Sequence, residues 1–224
     1  LRVLHVDLDN VYDPDAAQQA RNLDQLVQRV MDMGAGTVFL QAFADPKGDG
    51  LVHELYFPNR HLPVRADLFN RVAWQLRTRA HASVYAWMPV LSFALDPKLP
   101  RVTRWDPKTG QVGLDPDQYQ RLSPFDPQVR KIIGEIYEDL ARNSVIDGVL
   151  YHDDALLSDF EDASPAALKA YAAHGLPTSI AALRADPAVM QRWTRFKSRY
   201  LIDFTQELTA KVRAIGGPQV QTAR

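Results

Sequence analysis

Cysteine is absent from the 224 residues of this chain. Disulfides, thiolate nucleophiles and cysteine-liganded metal sites are therefore excluded, and the composition suits any redox compartment, including an oxidising one. An excess of charge of one sign is also missing, because 26 Lys and Arg residues nearly balance 27 Asp and Glu residues. A dedicated nucleic-acid or membrane-surface binder would carry such an excess, so a charged partner must be recognised by local charge.

Long apolar runs and glycine-rich phosphate loops are missing as well. No run approaches the roughly 18 residues that a membrane-spanning helix needs, and the first residues, LRVLHVDLDN, lack the basic-then-apolar pattern of a signal peptide. No GxGxxG or GxxxxGK motif follows any candidate strand, which removes the usual reason for a nucleotide-binding sheet. The sequence therefore predicts no transmembrane segment and no nucleotide cofactor.

Five short apolar, β-branched segments alternate with helical patterns along the chain. The predicted strands are 3–8, 37–43, 83–90, 147–154 and 218–224. Between them, apolar residues recur at the i, i+3, i+4, i+7 spacing of helices, and Gly34 stands where the first helix should end. Strands that are buried on both faces and separated by helices predict a parallel α/β sheet, either a (β/α)8 barrel or a doubly wound sheet.

Polar and aromatic residues at the carboxyl ends of the strands favour the barrel, because barrel enzymes build their sites there. Only five strands are found where a closed barrel has eight, and the sequence stops at Arg224 beside the fifth. We therefore expect residues 1–224 to form the N-terminal part of a TIM-type (β/α)8 barrel domain that is incomplete at its C-terminus in this chain.

Two neighbouring carboxylates, Asp153 and Asp154, follow the fourth strand in the segment GVLYHDDALLSD. Strand alternation places Asp154 on the same face as His152 and Asp153 on the other. In the first strand, Asp7 and Asp9 alternate with apolar residues and should face the barrel interior. Carboxylates that converge on one mouth repel one another, which favours keeping one of them protonated as a general acid. Glycoside hydrolysis uses such an arrangement.

Structural explanations compete with this interpretation. A single Asp at a strand end is often a helix N-cap or a turn former. The segment DPKGDG (45–50) lacks the spacing of a calcium loop, and no HExxH pair supports zinc, so we predict neither a metal nor another cofactor. The pair Asp153 and Asp154 is harder to explain structurally, since two adjacent carboxylates after an apolar strand cost desolvation and repulsion.

Aromatic residues divide into two groups by position. Those on helical stripes are predicted to belong to the core: Trp74, Trp193, Phe196 and Phe204. Others lie at a strand end or in long loops: Trp87, Tyr56, Phe57, Trp105 and Tyr119. Exposed aromatic faces at such positions stack on the C–H faces of sugar rings, which indicates a carbohydrate groove.

Several long motifs are specific enough to support a family resemblance: LHVDLDNVYDPD, TVFLQAFADPKGDG, VYAWMPVLSF, YHDDALLSDFEDASP and WTRFKSRYLIDFTQEL. With them, the chain resembles over essentially its whole length the C-terminal glycoside hydrolase domain of the PgaB family, periplasmic proteins that modify poly-β-1,6-N-acetyl-D-glucosamine during biofilm export. The resemblance implies an acidic groove that binds partially de-N-acetylated polymer and cleaves it endolytically. It also implies a periplasmic location, a lipid anchor outside this chain and an outer-membrane export pore as a partner. The family's N-terminal deacetylase domain has no counterpart here, so no deacetylase activity is expected.

The resemblance places the catalytic aspartate in YHDDALL. By analogy, Asp154 is the general acid and Asp153 orients the acetamido group of the substrate, although a turn that begins at Asp153 would reverse the two. Substrate-assisted cleavage is the recognised exception to the scheme with two catalytic carboxylates. The remaining candidates for binding the sugar are His152, Asp7, Asp9, Trp87, Glu54 and Tyr56.

Two further functions remain open at this stage. The domain could be a non-catalytic polysaccharide-binding module that guides the deacetylated polymer to export, in which case the acidic groove provides affinity only. It could also present a surface to an outer-membrane pore. A glucosamine unit is cationic near neutral pH, so clustered carboxylates favour it over the acetylated unit under either of the polymer-binding hypotheses.

Overall fold

A computed structural model describes residues 2–224 as alternating strands and helices. The strands are β1 (Val3–Val6), β2 (Thr37–Gln41), β3 (Phe43–Ala44), β4 (Glu54–Leu55), β5 (Ser83–Met88), β6 (Arg104–Trp105), β7 (Val112–Gly113), β8 (Gly148–Tyr151) and β9 (Gln221–Ala223). The helices are α1 (Ala16–Met33), α2 (Phe69–Arg79), α3 (Pro127–Asn143), α4 (Pro165–Ala173), α5 (Ile180–Ala185) and α6 (Pro187–Gly216), with a short 3-10 turn over Leu8–Asn10.

The main sheet contains five parallel strands in the order β1-β2-β5-β8-β9. Each strand lies beside the previous main-sheet strand of the chain, whereas a doubly wound sheet reverses its direction at a switch point. The fold is therefore part of a TIM-type α/β barrel, and all five predicted strands are confirmed. The short pairs β3-β4 and β6-β7 form two small antiparallel sheets in the strand-to-helix connections.

Helix ends follow the local sequence signals. Asp15 caps α1 by accepting a hydrogen bond from the main-chain N–H of Ala17, and Gly34 ends that helix in the left-handed region with φ of 59°. Asp126 caps α3 in the same manner, accepting from Gln128 and Val129. For Asp126, capping is thus its observed structural role. Within residues 2–224, none of the helices combines the length and apolar character needed to cross a membrane.

The two faces of the sheet differ in chemistry. The face toward the helices is apolar and fully buried, as at Val38, Leu40 and Val84. On the opposite face an aromatic series crosses β1, β2 and β5, with His5 packed edge-on to Phe39 at 5.0 Å and to Trp87 at 5.4 Å between ring centroids. The face of β1 that carries His5 therefore lies on the same side of the sheet as Trp87.

A second apolar cluster lies beneath the loop that follows β8. It is built by α4, α5 and the first half of α6 around the buried rings of Tyr171 and Trp193. The predicted core positions Trp193 and Phe204 are confirmed, and Phe196 packs against this cluster. The prediction for Trp74 is wrong, because its ring is 59% exposed: the buried stripe of α2 is Phe69, Val72, Ala73 and Leu76, and Trp74 lies outside it.

Candidate active site

An open cleft of about 490 Å³ lies at the carboxyl ends of the main-sheet strands β1, β2, β5 and β8. We call it the first cleft. Its polar and aromatic lining is Asp7, Asp9, Asn10, Gln41, Phe43, Asp45, Lys47, Trp87, Tyr119 and His152. Parallel strands bring their carboxyl ends to one edge of a barrel, so residues far apart in sequence meet here. The predicted candidates Asp7, Asp9, Trp87 and His152 are brought together in this cleft.

Asp9 is held by three donors on the floor of the first cleft. Its carboxylate accepts from the hydroxyl of Tyr56 at 2.6 Å, from the main-chain N–H of Asp45 at 2.8 Å and from the side-chain amide of Gln41 at 3.3 Å. Burial, followed by the hydrogen bond to Asp9, raises the pKa of Tyr56, so its hydroxyl stays protonated and donates. Asp9 is therefore fixed in place, while Asp7 nearby is exposed.

Two of the predicted sugar contacts, Tyr56 and Glu54, do not line the first cleft. Tyr56 is completely buried and supports Asp9 instead of presenting a ring to the cleft. Its main-chain N–H bonds to the carbonyl of Ala42, which folds the connection after β3 back onto the sheet. Glu54 pairs with Arg65 at 3.1 Å and lines a side cleft of about 260 Å³, beyond the wall formed by residues 45–50.

Asp154 does not face the mouth of the barrel, so the predicted orientation is wrong. Its carboxylate is fully buried and accepts from three consecutive main-chain N–H groups after β5: Val90 at 3.0 Å, Leu91 at 2.6 Å and Ser92 at 2.8 Å. The physical reason is that β8 ends at Tyr151 and a turn occupies residues 153 and 154, so strand alternation no longer applies. Asp154 therefore links the loop after β8 to the loop after β5.

Asp153 is the member of the pair that reaches solvent. Its side chain is 78% exposed and lines a second cleft of about 480 Å³, together with Asp49, Asp117 and Tyr119. Because Tyr119 lines both clefts, the second cleft is adjacent to the first. A turn does begin at Asp153, and it places Asp153, not Asp154, at a cleft.

His152 lies between the two aspartates and the aromatic face of the sheet. Its ring stacks on Trp87 with 5.4 Å between centroids and 20° between planes. Its Nδ1 is 2.9 Å from Oδ1 of Asp153 and 3.8 Å from Oδ1 of Asp154, yet no contact has the alignment of a hydrogen bond. The imidazole therefore fills the floor between Trp87 and Asp153.

Tyr119, one of the loop aromatic residues expected at a carbohydrate groove, lines both clefts although it was not among the candidates chosen to bind the sugar. Its ring packs edge-on to His152 at 5.5 Å and rests against Gly50, where an added Cβ would lie 2.3 Å from the ring. Burial, then the charges of Asp153, Asp154 and Asp45, raises the pKa of Tyr119, so its hydroxyl remains neutral. The sequence offered only its place in a loop rich in Asp and Pro, which it shares with other aromatic residues.

Acidic residues dominate the walls of both clefts. Asp7, Asp9 and Asp45 line the first cleft, and Asp49, Asp117 and Asp153 line the second, whereas among the described residues Lys47 is the one Lys or Arg in either lining. This local excess exists although the whole chain carries a net charge of only −1. Such a surface attracts a cationic ligand and repels an anionic one. Among residues 2–224, no three or more His, Asp or Glu side chains are grouped in a way that could hold a metal ion.

The loop after β8 is fixed from below by Lys197 of α6. The ammonium is only 3% exposed, donates to the carbonyls of Ser158 at 2.5 Å and Glu161 at 2.7 Å, and sits 3.5 Å from the ring centroid of Trp193. Burial lowers the pKa of Lys197 from its ordinary 10.5 to about 8. A neutral amine still has two N–H groups, so both carbonyls remain satisfied above this pH.

We expect the stability of the protein to depend on Lys197 between about pH 8 and 10.5. In this window the unfolded chain keeps the proton that the folded protein has released, so the free energy of unfolding rises with pH, by roughly 3 kcal/mol in total. Lys197→Met removes this gain, and its deficit relative to the wild type should widen from pH 7.5 to pH 10. Urea unfolding measures it, with the exposed Lys169→Met as control. A constant deficit would contradict the assignment.

The fold and the clefts together define a class: a TIM-type barrel with a carboxylate-lined cleft at the carboxyl ends of its strands, as in carbohydrate-cleaving barrel enzymes. Comparison with known families agrees with this class. The chain belongs to hypothetical glycosyl hydrolase family 13, whose family model matches residues 5–224.

Individual relatives make the similarity more specific. The poly-beta-1,6-N-acetyl-D-glucosamine N-deacetylase of Escherichia coli (strain K12) is 56% identical over 223 residues, which cover all of this chain and 33% of that protein. The chain thus spans about a third of the length of this relative. The PgaB (BpsB) glycoside hydrolase domain of Bordetella bronchiseptica superposes with a TM-score of 0.91 at 53% identity, covering 100% of this chain and 64% of that domain. An alpha-L-fucosidase from Paenibacillus thiaminolyticus shares the fold alone, with a TM-score of 0.64 at 17% identity over 99% of this chain and 32% of the fucosidase.

Proposed function

We propose that this chain forms part of an endo-acting glycoside hydrolase that binds and cleaves partially de-N-acetylated poly-β-1,6-N-acetyl-D-glucosamine, a biofilm exopolysaccharide. The observation that carries the proposal is the contrast between two adjacent aspartates after β8. The carboxylate of Asp154 is buried and accepts hydrogen bonds from main-chain N–H groups, whereas the carboxylate of Asp153 is exposed at the cleft. The family match and the names of the Escherichia coli and Bordetella relatives support the substrate class.

In this proposal Asp153 is the general acid, which exchanges the roles expected from the sequence. Its proton passes to the glycosidic oxygen as the bond from that oxygen to the sugar carbon breaks, and the leaving sugar departs as a neutral alcohol. Asp154 acts through the backbone by holding the loop after β5 against the turn that carries Asp153. The acetamido oxygen of the substrate bonds to the sugar carbon as the glycosidic bond breaks, as in substrate-assisted cleavage. A water molecule then displaces this oxygen from the sugar carbon and gives up a proton to Asp153, which restores the acid.

Substrate selection follows from the charge and shape of the clefts. A glucosamine unit carries an ammonium group near neutral pH, and the exposed carboxylate of Asp7 in the first cleft can accept a charge-assisted hydrogen bond from it. Trp87 and Tyr119 provide apolar ring faces and edges for the C–H faces of a sugar. A fully acetylated polymer lacks the ammonium group, so it binds these carboxylate-lined walls more weakly.

The cellular setting of this activity is also a proposal. Residues 1–224 would belong to a barrel domain that acts on the polymer in the periplasm. An export-pore partner and a lipid anchor remain predictions of the family resemblance, and no residue in the clefts argues for either.

The proposal is tested by following polymer length. Incubation of partially de-N-acetylated polymer with the full-length protein should lower the average chain length early, before short products accumulate, because cuts fall within the chain. A fully acetylated polymer of equal length should stay unchanged. Unchanged length of the deacetylated polymer, combined with binding that weakens steeply with salt, would instead support the non-catalytic binding module, whose affinity depends on screened charges.

A further inference from the structure

Arg121 lies beneath both clefts and lines neither of them. Its side chain is 2% exposed, and its guanidinium donates in three directions. Nε donates to the carbonyl of Tyr119 at 3.2 Å, Nη1 to the carbonyl of Leu156 at 2.5 Å and Nη2 to Oε1 of Glu161 at 2.7 Å. One planar group therefore joins the loop that carries Tyr119 to the turn that carries Asp153.

Glu161 extends this connection through the loop after β8. Its Oε2 accepts from the main-chain N–H of Ser158 at 3.0 Å, and its own carbonyl accepts from Lys197. Glu161 is completely buried, so its charge is compensated within the protein by the guanidinium of Arg121. Arg121 thus holds both ends of the segment 156–161, through the carbonyl of Leu156 and the carboxylate of Glu161.

Asp153 stands between two anchors as a result. On one side, the next residue, Asp154, is bound to the main chain of residues 90–92. On the other side, the carbonyl of Leu156 is bound to Arg121. The exposed carboxylate makes few contacts of its own, so its position depends on these anchors. A lysine has no planar fork and could not reach all three acceptors of Arg121 at once.

We infer that Arg121 is a positioning residue for the reaction. It holds the acid Asp153 and the wall residue Tyr119 at fixed positions relative to each other, where the two clefts meet. The inference rests on the proposed function. It differs from a purely structural role, because it assigns the effect of Arg121 to the placement of the proton donor and not to the amount of folded protein.

The test compares two leaving groups in the full-length protein. A partially de-N-acetylated oligomer that keeps an acetamido group on the sugar being cleaved needs protonation of its leaving oxygen, whereas the dinitrophenyl group of the matching glycoside leaves without it. Arg121→Lys should lower kcat on the oligomer by about 100-fold, the cost of a small misplacement of a catalytic group, and change the dinitrophenyl glycoside by only a few-fold. The ratio of the two rates is measured on one preparation, so it does not depend on how much of the variant is folded.

A second variant protects the test against misfolding. Arg121→Met combined with Glu161→Met removes both buried charges together, which avoids an unpaired carboxylate and is often tolerated; the same change in the rate ratio is expected. Arg60→Lys is the matched control, because Arg60 bridges to Asp139 and Glu138 of α3 and lines neither cleft, and its ratio should equal that of the wild type.

The outcomes separate this inference from the proposed function. If Asp153→Asn retains full activity on the oligomer, the proposed function is wrong. If Asp153→Asn is inactive on the oligomer while both Arg121 variants keep the wild-type rate ratio, Arg121 has only a structural role and the inference is overturned.

Discussion

Asp153→Asn is expected to lower kcat for cleavage of the deacetylated polymer by about 100- to 10,000-fold, the usual contribution of a general acid. Asparagine has nearly the same shape, and the side chain is 78% exposed, so the melting temperature should stay within about one degree of the wild type. Binding of the polymer should remain, since the other carboxylates of both clefts are unchanged. Chain-length analysis, together with a thermal melt of the same preparation, measures both effects.

Two controls sharpen this expectation. Asp117→Asn changes another carboxylate of the second cleft and should reduce affinity without abolishing cleavage. An activated aryl glycoside should be cleaved by Asp153→Asn at close to the wild-type rate, because its leaving group needs no proton. Equal losses on both substrates would assign Asp153 to binding instead of acid catalysis.

Asp154→Ala is expected to lower the free energy of unfolding by about 3–9 kcal/mol, since each buried N–H without an acceptor costs roughly 1–3 kcal/mol. Three such groups lose their acceptor, those of Val90, Leu91 and Ser92, and all three residues are at most 1% exposed. Denaturant unfolding at neutral pH gives the difference directly.

Asp153→Ala is the matched control for this measurement. It makes the same chemical change one residue earlier at an exposed side chain, so its effect should be within about 0.5 kcal/mol. If both alanine variants have similar stability, Asp154 does not hold the loop after β5 in solution, and the exchange of roles between the two aspartates loses its basis.

Most of the sheet could be predicted from sequence because its strands are short apolar runs set between helical patterns. The two helices that were not predicted, α4 and α5, are rich in alanine and bury few large side chains. They pack on Phe125, which precedes α3, and on Trp193 of α6. No local pattern in PAALKAYAA or IAALRA reports that contact.

The place of the site was also predictable, but its inner arrangement was not. Asp7, Asp9, Trp87 and His152 meet in one cleft because parallel strands end at one edge. The orientation of Asp154 depends on where β8 stops and on N–H groups about sixty residues earlier, which alternation within one strand does not include. Tyr56 was misplaced for a similar reason, since a main-chain bond to Ala42 turns it into the core.

The placement of Asp153 between two anchors has a consequence for genetics. In a screen that scores only loss of polymer cleavage, the codons for both aspartates would tolerate almost no substitution, and the neighbouring positions would look equivalent. A parallel screen for protein abundance would separate them, with variants at Asp154 depleted and variants at Asp153 retained. Conversely, a second-site suppressor that raises overall stability could rescue a change at Asp154, but none of that kind could restore a missing proton donor at Asp153.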